Sequence, residues 1–158
     1  MKKILIIAIL VLVIVAATII LVNESAQRQK FVAVKVFFNN SKMDPEFSCN
    51  KVFPVERTVL KSGNEKEEAV SELLQGPTEQ EAEQGYFTSI NSGVKTENLS
   101  VNGDTVNIAF DESLEEAVGG SCRVAAIRAQ IEQTLKQFSG IKNVVISING
   151  RTEDILQP

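Results

Sequence analysis

The sequence predicts an α+β domain, a two-layer sandwich in which two helices cover one face of a mixed β-sheet, preceded by a transmembrane helix. Three observations lead to this fold class. Short segments rich in β-branched and aromatic residues are typical of strands, and two longer segments place apolar residues at helical spacing. An unbroken apolar run opens the chain. The order after that run is β-β-α-β-β-α-β, which favours helices packed on a sheet.

The apolar run covers Ile4–Val22 and is interrupted only by Thr18. A helix of this length approaches the ~30 Å thickness of the hydrocarbon core of a bilayer. Lys2 and Lys3 precede the run, and basic flanking residues stay in the cytoplasm. The chain is therefore expected to be a single-pass cell-membrane protein with its domain on the extracytoplasmic side.

Residues 1–22 are predicted to be a signal anchor, and residues 23–30 (NESAQRQK) a polar linker that keeps the domain near the bilayer. The alternative is a cleaved secretory signal, whose apolar core is usually shorter. Both interpretations place the domain, residues 31–150, in the same compartment.

The first half of the domain contains two predicted strands, Phe31–Phe38 and Val52–Leu60, joined by a loop. Pro54 cannot donate a ladder hydrogen bond, so it favours a sheet edge or a bulge for the second strand. Glu65–Gln75 is predicted to be a helix, because one of its faces is apolar: Ala69, Val70, Leu73 and Leu74.

A capping-box pattern follows that helix. Thr78 and Glu81 have the spacing in which each side chain bonds the other's backbone, so a short helical turn is expected as far as Gln84. The segment Gly85–Gly93 is predicted to be irregular.

The second half begins with a predicted hairpin, Lys95–Val101 and Thr105–Phe110, around Asn102-Gly103. Asn-Gly is typical of a type I′ turn, in which both central residues have positive φ. A long helix is expected over Ser121–Phe138 with Ser121 as its N-cap, and a last strand over Asn143–Ile148. Residues 151–158 read as a polar tail.

The composition excludes several partners. Without Lys2 and Lys3, twenty acidic residues stand against fourteen basic ones, a net charge of −6. Such a balance argues against nucleic acid as the main partner. Cys49 and Cys122 are the two cysteines, and in an oxidising compartment they are expected to form a structural disulfide, with two free buried thiols as the alternative. Two cysteines without histidine cannot build a zinc site.

Catalytic patterns are weak. Cys122 and Arg128 have the Cys-x5-Arg spacing of a phosphatase loop, but the residues between them contain no glycine and fit a helix. Ser and Cys triads lack their base, because the chain has no histidine. Three pairs of adjacent acidic residues lie in polar segments, where they do not form the opposed carboxylates of a glycoside hydrolase: Asp111/Glu112, Glu115/Glu116 and Glu153/Asp154. The acidic stretch 111–116 also lacks the alternation of a calcium-binding loop. We therefore expect no enzymatic activity, no cofactor and no metal.

The domain contains six characteristic segments in order: VKVFF, FPVERTV, LLQGPT, FTSINSGVK, NGDTVNIAF and GIKNVVISING. Taken together, they are similar to the GerMN domain, the "sporulation and spore germination" family of bacterial envelope proteins. The resemblance covers Phe31 to Gly150. This sequence departs from the family in having Asn91 where proline is usual, which predicts a looser entry into the third strand, and in its cysteine pair.

The resemblance implies a fold similar to the ring-building motifs of sporulation complexes, and no catalytic residues carry over from it. It implies a non-catalytic module that assembles with envelope proteins, or with itself, through its sheet. The alternative function is a binder of cell-wall glycan or peptide. A glycan binder should have a cleft lined by aromatic rings and amides, which distinguishes the two hypotheses.

Overall fold

The computed structural model describes residues 11–23 and 30–157. Residues 11–23 are helical. Within the described ranges, no helix has both the length and the apolar character that a membrane span requires. Residues 1–10 of the predicted anchor and residues 24–29 of the predicted linker lie outside the described residues.

The domain is built from six strands, three α-helices and a 3₁₀ turn within residues 30–157. The strands are β1 Phe31–Asn40, β2 Phe53–Leu60, β3 Tyr86–Phe87, β4 Thr96–Asn102, β5 Thr105–Phe110 and β6 Asn143–Ile148. The helices are α1 Glu65–Gln75, α2 Glu79–Glu83 and α3 Ser121–Lys136, and the 3₁₀ turn is Glu112–Leu114.

These strands form two three-stranded sheets, so the prediction of one mixed sheet is wrong. In the first sheet the order is β2-β1-β3, with β1 antiparallel to both neighbours. In the second sheet the order is β4-β5-β6, with β5 antiparallel to β4 and parallel to β6. Only this second sheet is mixed. Pro54 lies in β2, at the edge where a missing donor is tolerated.

The sheets separate because side chains of α3 and of Gln137, the residue that caps its end, occupy the free edge of β1. The Lys35 N–H donates to Gln137 Oε1 at 2.6 Å, and the amide nitrogen of Gln137 donates back to the Lys35 carbonyl. The Phe37 N–H donates to Thr134 Oγ1 at 3.1 Å. A further strand cannot pair where these backbone groups are already bonded.

One apolar core nevertheless joins the two sheets. Val36 and Phe38 of the first sheet belong to the same buried cluster as Ile108 and Phe110 of the second. Both long helices contribute to it, α1 through Leu73 and α3 through residues at helical spacing: Val124, Ile127, Ile131 and Leu135. The prediction of an α+β fold is confirmed, with helices against sheet faces on one shared core.

Several local predictions hold and others need correction. The bounds of α1 and β6 are those predicted, and Thr78 and Glu81 form both bonds of the capping box. Ser121 is the first residue of α3 rather than its cap, which is Gly120 with φ 84°. The hairpin turn places Gly103 and Asp104 at its centre, and Gly103 alone of the two has positive φ, as in a type II′ turn.

Strand β3 lies in the segment predicted to be irregular. It consists of two residues that pair with Asn39 and Asn40 of β1. Gly85 precedes it with φ 95°, and a Cβ at that position would lie 2.9 Å from Lys42 Cγ. The chain can therefore approach β1 this closely only with glycine at the junction.

The C-terminal residues also differ from the predicted polar tail. Ile155 and Leu156 are buried in the main core. Arg128 of α3 donates from Nη2 to the Ile155 carbonyl at 3.0 Å, and Arg151 pairs with Ile148 by two backbone hydrogen bonds. The folded domain thus continues beyond Gly150.

Candidate binding groove beside the disulfide

Cys49 and Cys122 are joined in a disulfide, with an S–S distance of 2.08 Å. The bond ties the loop between β1 and β2 to the first turn of α3. The two cysteines are 73 positions apart in sequence, so the link connects elements from opposite halves of the domain.

A groove of about 290 Å³ opens next to this bond. Its walls come from the end of β1, the disulfide loop, β3 and the start of α3. The lining residues are Asn39, Asn40, Asp44, Phe47, Cys49, Phe87, Ser89, Cys122, Arg123 and Ala126. The rings of Phe47 and Phe87 lie 5.7 Å apart and are tilted by 45°.

The disulfide loop holds its residues in an unusual backbone conformation. Phe47 has φ 50° and Cys49 has φ 46°, in the left-handed region that side chains with a Cβ rarely adopt. Phe47 is 55% exposed although it is a large apolar residue. Strained backbone persists only where its surroundings impose it, and it is concentrated at functional sites.

Asn39 fixes the floor of the groove. Its amide nitrogen donates to the carbonyl oxygens of Cys49 at 3.3 Å and Lys51 at 3.1 Å. Its Oδ1 accepts from Gln130 Nε2 at 2.6 Å and from the Ser89 hydroxyl at 3.4 Å. One buried asparagine thus joins the loop, α3 and the segment after β3. Its side-chain amide donates two hydrogen bonds and accepts two, which uses its full capacity.

Asn40 and Asp44 are also engaged within the protein. Asn40 Oδ1 accepts from the backbone N–H groups of Lys42 and Met43, both at 2.9 Å. Asp44 accepts from the backbone N–H of Ser48 at 2.7 Å, and this bond, assisted by the hydroxyl of Ser48, holds the pKa of the Asp44 carboxyl below its ordinary value. These polar groups shape the loop.

Arg123 closes the far wall of the groove. Its guanidinium donates to the carbonyls of Ser89 at 3.3 Å and Ala117 at 3.2 Å, and to Asn91 Oδ1 at 2.5 Å. The Asn91 amide donates in turn to the carbonyls of Ser113 and Glu116. The side chain of Asn91 thus ties the entry into the third predicted strand to the acidic loop, and the predicted looseness relative to a proline stays a prediction.

The groove consequently presents apolar surface with few unengaged polar groups. Phe47, Phe87, Ala126 and the disulfide form its accessible walls, whereas the two asparagines, Asp44 and Arg123 are bonded within the protein. An apolar group fits such a site better than one that needs new hydrogen bonds.

The rejected catalytic residues lie apart from the groove or are bonded elsewhere. Cys122 is in the disulfide, and Arg128 bonds the carbonyl of Ile155. The carboxyl of Asp111 accepts a hydrogen bond from the Ser113 hydroxyl, and this bond is the main cause that lowers the pKa of Asp111. Glu115 forms an ion pair with Arg151. These groups contact structural partners rather than one another.

Other acidic residues show the same behaviour. Glu112 accepts from the Asn149 amide, and Asp154 lies 3.5 Å from Arg151. In the ranges 11–23 and 30–157, no group of three or more His, Cys, Asp or Glu side chains is arranged to hold a metal ion.

The family model of Germane, described as sporulation and spore germination, matches residues 35–154. The chain belongs to this family. No curated protein matches the sequence. The Germane match begins within β1 and includes the other five strands and all the residues of the groove, so the groove is part of the family's domain rather than an addition to it.

Solved structures support the same fold. The tandem GerMN domains of the sporulation protein GerM from Bacillus subtilis are 19% identical, with a TM-score of 0.59 over 77% of this chain and 40% of that one. The first GerMN domain of the same protein is also 19% identical, with a TM-score of 0.56 over 77% and 85%. A putative lipoprotein from Clostridium perfringens is 14% identical, with a TM-score of 0.51 over 81% of both chains. This Germane chain therefore spans less than half of the tandem structure.

Only the cysteines of the groove were identified from the sequence. Asn39, Phe47 and Phe87 were not singled out, since each occurs in a segment assigned only as strand, loop or irregular chain. A phenylalanine inside the polar loop DPEFSCN was the available signal. It indicates an apolar side chain that the loop presents instead of burying.

Proposed function

We propose that this protein is a non-catalytic module, held at a membrane by its N-terminal apolar segment, that assembles with partner proteins of the cell envelope. The groove beside the disulfide carries this proposal. An exposed phenylalanine on a left-handed backbone, packed against a second phenylalanine in the wall of an apolar groove, offers an aromatic surface to an apolar side chain of a partner. Membership of the Germane family supports an envelope role.

We place the contact surface in the groove, although the sequence predicted assembly through the sheet. Strand addition needs a free edge, and Gln137 and Thr134 occupy part of the open edge of β1. The groove lies at the end of that same sheet and offers a volume of about 290 Å³ without such competition. The partner is therefore expected to place an apolar residue there.

The proposal also places the domain outside the cytoplasm. A disulfide that closes a long loop persists in oxidising surroundings, which supports placing the domain outside the cytoplasm. The alternative at this groove, a glycan ligand, needs free amides beside the rings. Asn39 and Asn40 lie beside the rings but do not meet this requirement, because both amides are bonded internally.

Photo-crosslinking in living cells tests the proposal. A photoreactive phenylalanine analogue at Phe47 is expected to capture one discrete envelope protein, and Phe87→Ala is expected to reduce that yield because it removes the ring that packs against position 47. Leu60, 50% exposed at the end of β2, provides the matched control position. Equal products from both positions, or binding of the purified protein to protein-free cell-wall sacculi through Phe47, would reject an assembly role for the groove.

A further inference from the structure

The first residues of β1 leave one stretch of the strand's free edge unoccupied. At the start of β1 the Lys30 carbonyl accepts from the Lys61 N–H on the β2 side at 2.8 Å, whereas the backbone of Lys35 is bonded on the opposite side. Backbone groups alternate between the two sides of a strand, so those of Phe31 and Ala33 point the same way as those of Lys35. Within residues 30–157, neither Phe31 nor Ala33 is bonded on that side, and both are exposed.

At the adjoining position, the protein itself supplies the bonds that an added strand would form. The N–H and the carbonyl of Lys35 are both bonded to the side-chain amide of Gln137, which accepts from the one and donates to the other. This is the pair of bonds that a residue of an antiparallel neighbour forms. The edge is thus oriented to receive a peptide group, and Gln137 fixes where the open stretch ends.

A groove of about 350 Å³ lies beside the open stretch, and we call it the edge groove. Its apolar walls are Val32 and Val34 of β1 and Phe138, which follows α3. Val32 and Phe138 are only partly buried and pack against a small apolar cluster, separate from the main core, that consists of Val34, Val59 and Ala69. An apolar side chain from outside can extend this cluster and bury its exposed surface.

Charge and size restrict what could occupy this site. The charged residues that line the edge groove are Lys61 and Glu65, one of each sign, so the groove has no complement for phosphate groups or anionic headgroups. The edge from Phe31 to Lys35 is about 14 Å long, and a strip about 10 Å wide along it covers roughly 140 Å². A stable dimer buries about 800 Å² on each partner, so a single short segment fits better than a second copy.

We propose that the free edge of β1 binds an extended segment of a partner protein by strand addition, with one apolar side chain of that segment in the edge groove. Phe31 and Ala33 each supply an N–H and a carbonyl to the added segment. Alternate side chains of the segment point to the same sheet face as Val32 and Val34, which places one of them beside Phe138. The edge groove lies at the opposite end of β1 from the groove beside the disulfide, and it does not depend on the partner proposed there.

A peptide titration of the full chain in detergent micelles tests the proposal. The probe is the pentapeptide Ser-Thr-Leu-Thr-Ser with both ends blocked, and the backbone amides are followed by NMR. Main-chain bonds do not depend on sequence, so this probe should bind in the millimolar range and shift the amide signals of Phe31 and Ala33. Two further probes carry N-methyl groups on alternate nitrogens, one at odd and one at even positions. Only every second N–H of an added strand faces β1, so one of them should bind like the parent and the other about tenfold more weakly.

Two proline variants form a matched pair on the same sheet. Ala33→Pro removes the N–H at the centre of the open edge and should weaken binding about tenfold. Thr58→Pro is the control, because Thr58 lies opposite Ala33 in register and its N–H faces the outer edge of β2. Proline is tolerated there, as Pro54 in β2 shows. Thr58→Pro should leave binding unchanged. Phe138→Ala should weaken binding of the leucine probe but not of its alanine analogue, because it removes a wall of the edge groove.

Several results would overturn the proposal. These are an absence of shifts at Phe31 and Ala33, equal binding of the two methylated peptides, and an equal loss from Thr58→Pro and Ala33→Pro. Shifts of the same signals with protein concentration, without peptide, would identify a second copy as the occupant and would also overturn it. If Ala33→Pro does not fold, the methylated peptides decide the question on the unaltered protein. The crosslinking result at Phe47 is independent of all these outcomes.

Discussion

The two sheets contain the same number of strands, but they are connected to the rest of the domain in different ways. The first sheet is fastened by side chains: Gln137 on β1, an ion cluster on Arg57 of β2, and the disulfide beyond its end. The second sheet relies on its backbone ladder and its buried face, and the asparagines of its outer face have few partners. The difference teaches that structural side-chain bonds are concentrated on the first sheet, which leaves the second free to present a surface.

Breaking the disulfide should have the largest effect on the stability of the domain. For a loop that spans 73 positions, the chain-entropy model gives a loss of ~4 kcal/mol in the free energy of unfolding. Cys49→Ser is expected to lower the urea midpoint of the full chain by a corresponding amount. Cys122→Ser and the double variant should match it, and a reducing agent should then cause no further change. An unaltered midpoint on reduction of the wild type would contradict the prediction.

Removing Arg57 should cause the second-largest loss in the free energy of unfolding. Its guanidinium pairs with both oxygens of Glu81 and lies 3.3 Å from Glu72, with all three side chains mostly buried. Arg57→Ala leaves two carboxylates without this partner, and we expect a loss of about 2 kcal/mol, measured by urea unfolding. The exposed pair of Lys142 with Asp104 is the control, and Lys142→Ala should cost less than about 0.5 kcal/mol. Equal losses would reject the assignment of stability to the Arg57 cluster.

The same cluster predicts a pH dependence. Hydrogen bonding from Arg57 is the largest cause that lowers the pKa of Glu81 below its ordinary value of 4.5. The unfolded state therefore takes up a proton at higher pH than the folded state, so this contribution is complete above 4.5 and is lost as pH falls through the folded pKa. Unfolding measured at a series of pH values below 4.5 should show a smaller acid loss for Arg57→Ala than for wild type. Identical slopes would contradict it.

Freeing the edge of β1 should have a smaller and more local effect. Gln137→Ala removes both side-chain bonds to Lys35, for an expected loss of about 1 kcal/mol. Hydrogen exchange should accelerate at the Lys35 amide and remain unchanged at Phe37, which is bonded to Thr134. Acceleration at both amides would indicate that the strand as a whole had loosened, against the prediction.

Changing the second sheet's outer face should have the smallest effect on stability. Asn107 is exposed and has no side-chain partner among the described residues, so Asn107→Ala should alter the free energy of unfolding by less than about 0.5 kcal/mol. The same urea measurement checks it. A loss above about 1 kcal/mol would show that the face has a structural role, and the contrast between the sheets would fail.

Local patterns were sufficient to predict much of the fold. Helix α1 and strand β6 were predicted with correct bounds, because strong apolar spacing and adjacent stop signals define them within a few residues. The two-sheet arrangement was not predictable in this way. It depends on Gln137 reaching Lys35, 102 positions earlier in the chain, and no local pattern specifies that contact.

Short elements were not predicted from the sequence, for a related reason. Strand β3 has only two residues, which carry no periodicity, and its pairing depends on the close approach allowed by Gly85. Ile155 and Leu156 form one apolar pair among polar neighbours, so their burial depends on the core that they reach. In the groove, the cysteines were found by their number and chemistry. Asn39 was missed because its partner Gln130 is 91 positions away.

The Asn102-Gly103 turn has a consequence for the chemical lifetime of the protein. Asparagine followed by glycine deamidates more readily than other asparagines, because glycine has no side chain to hinder attack by the next backbone nitrogen on the amide. Asn102 lies at the end of β4, opposite Thr105, so its conversion would place a carboxylate on the second sheet. The protein would thus acquire a negative charge there with age, and peptide mass mapping of stored protein would reveal it at residue 102.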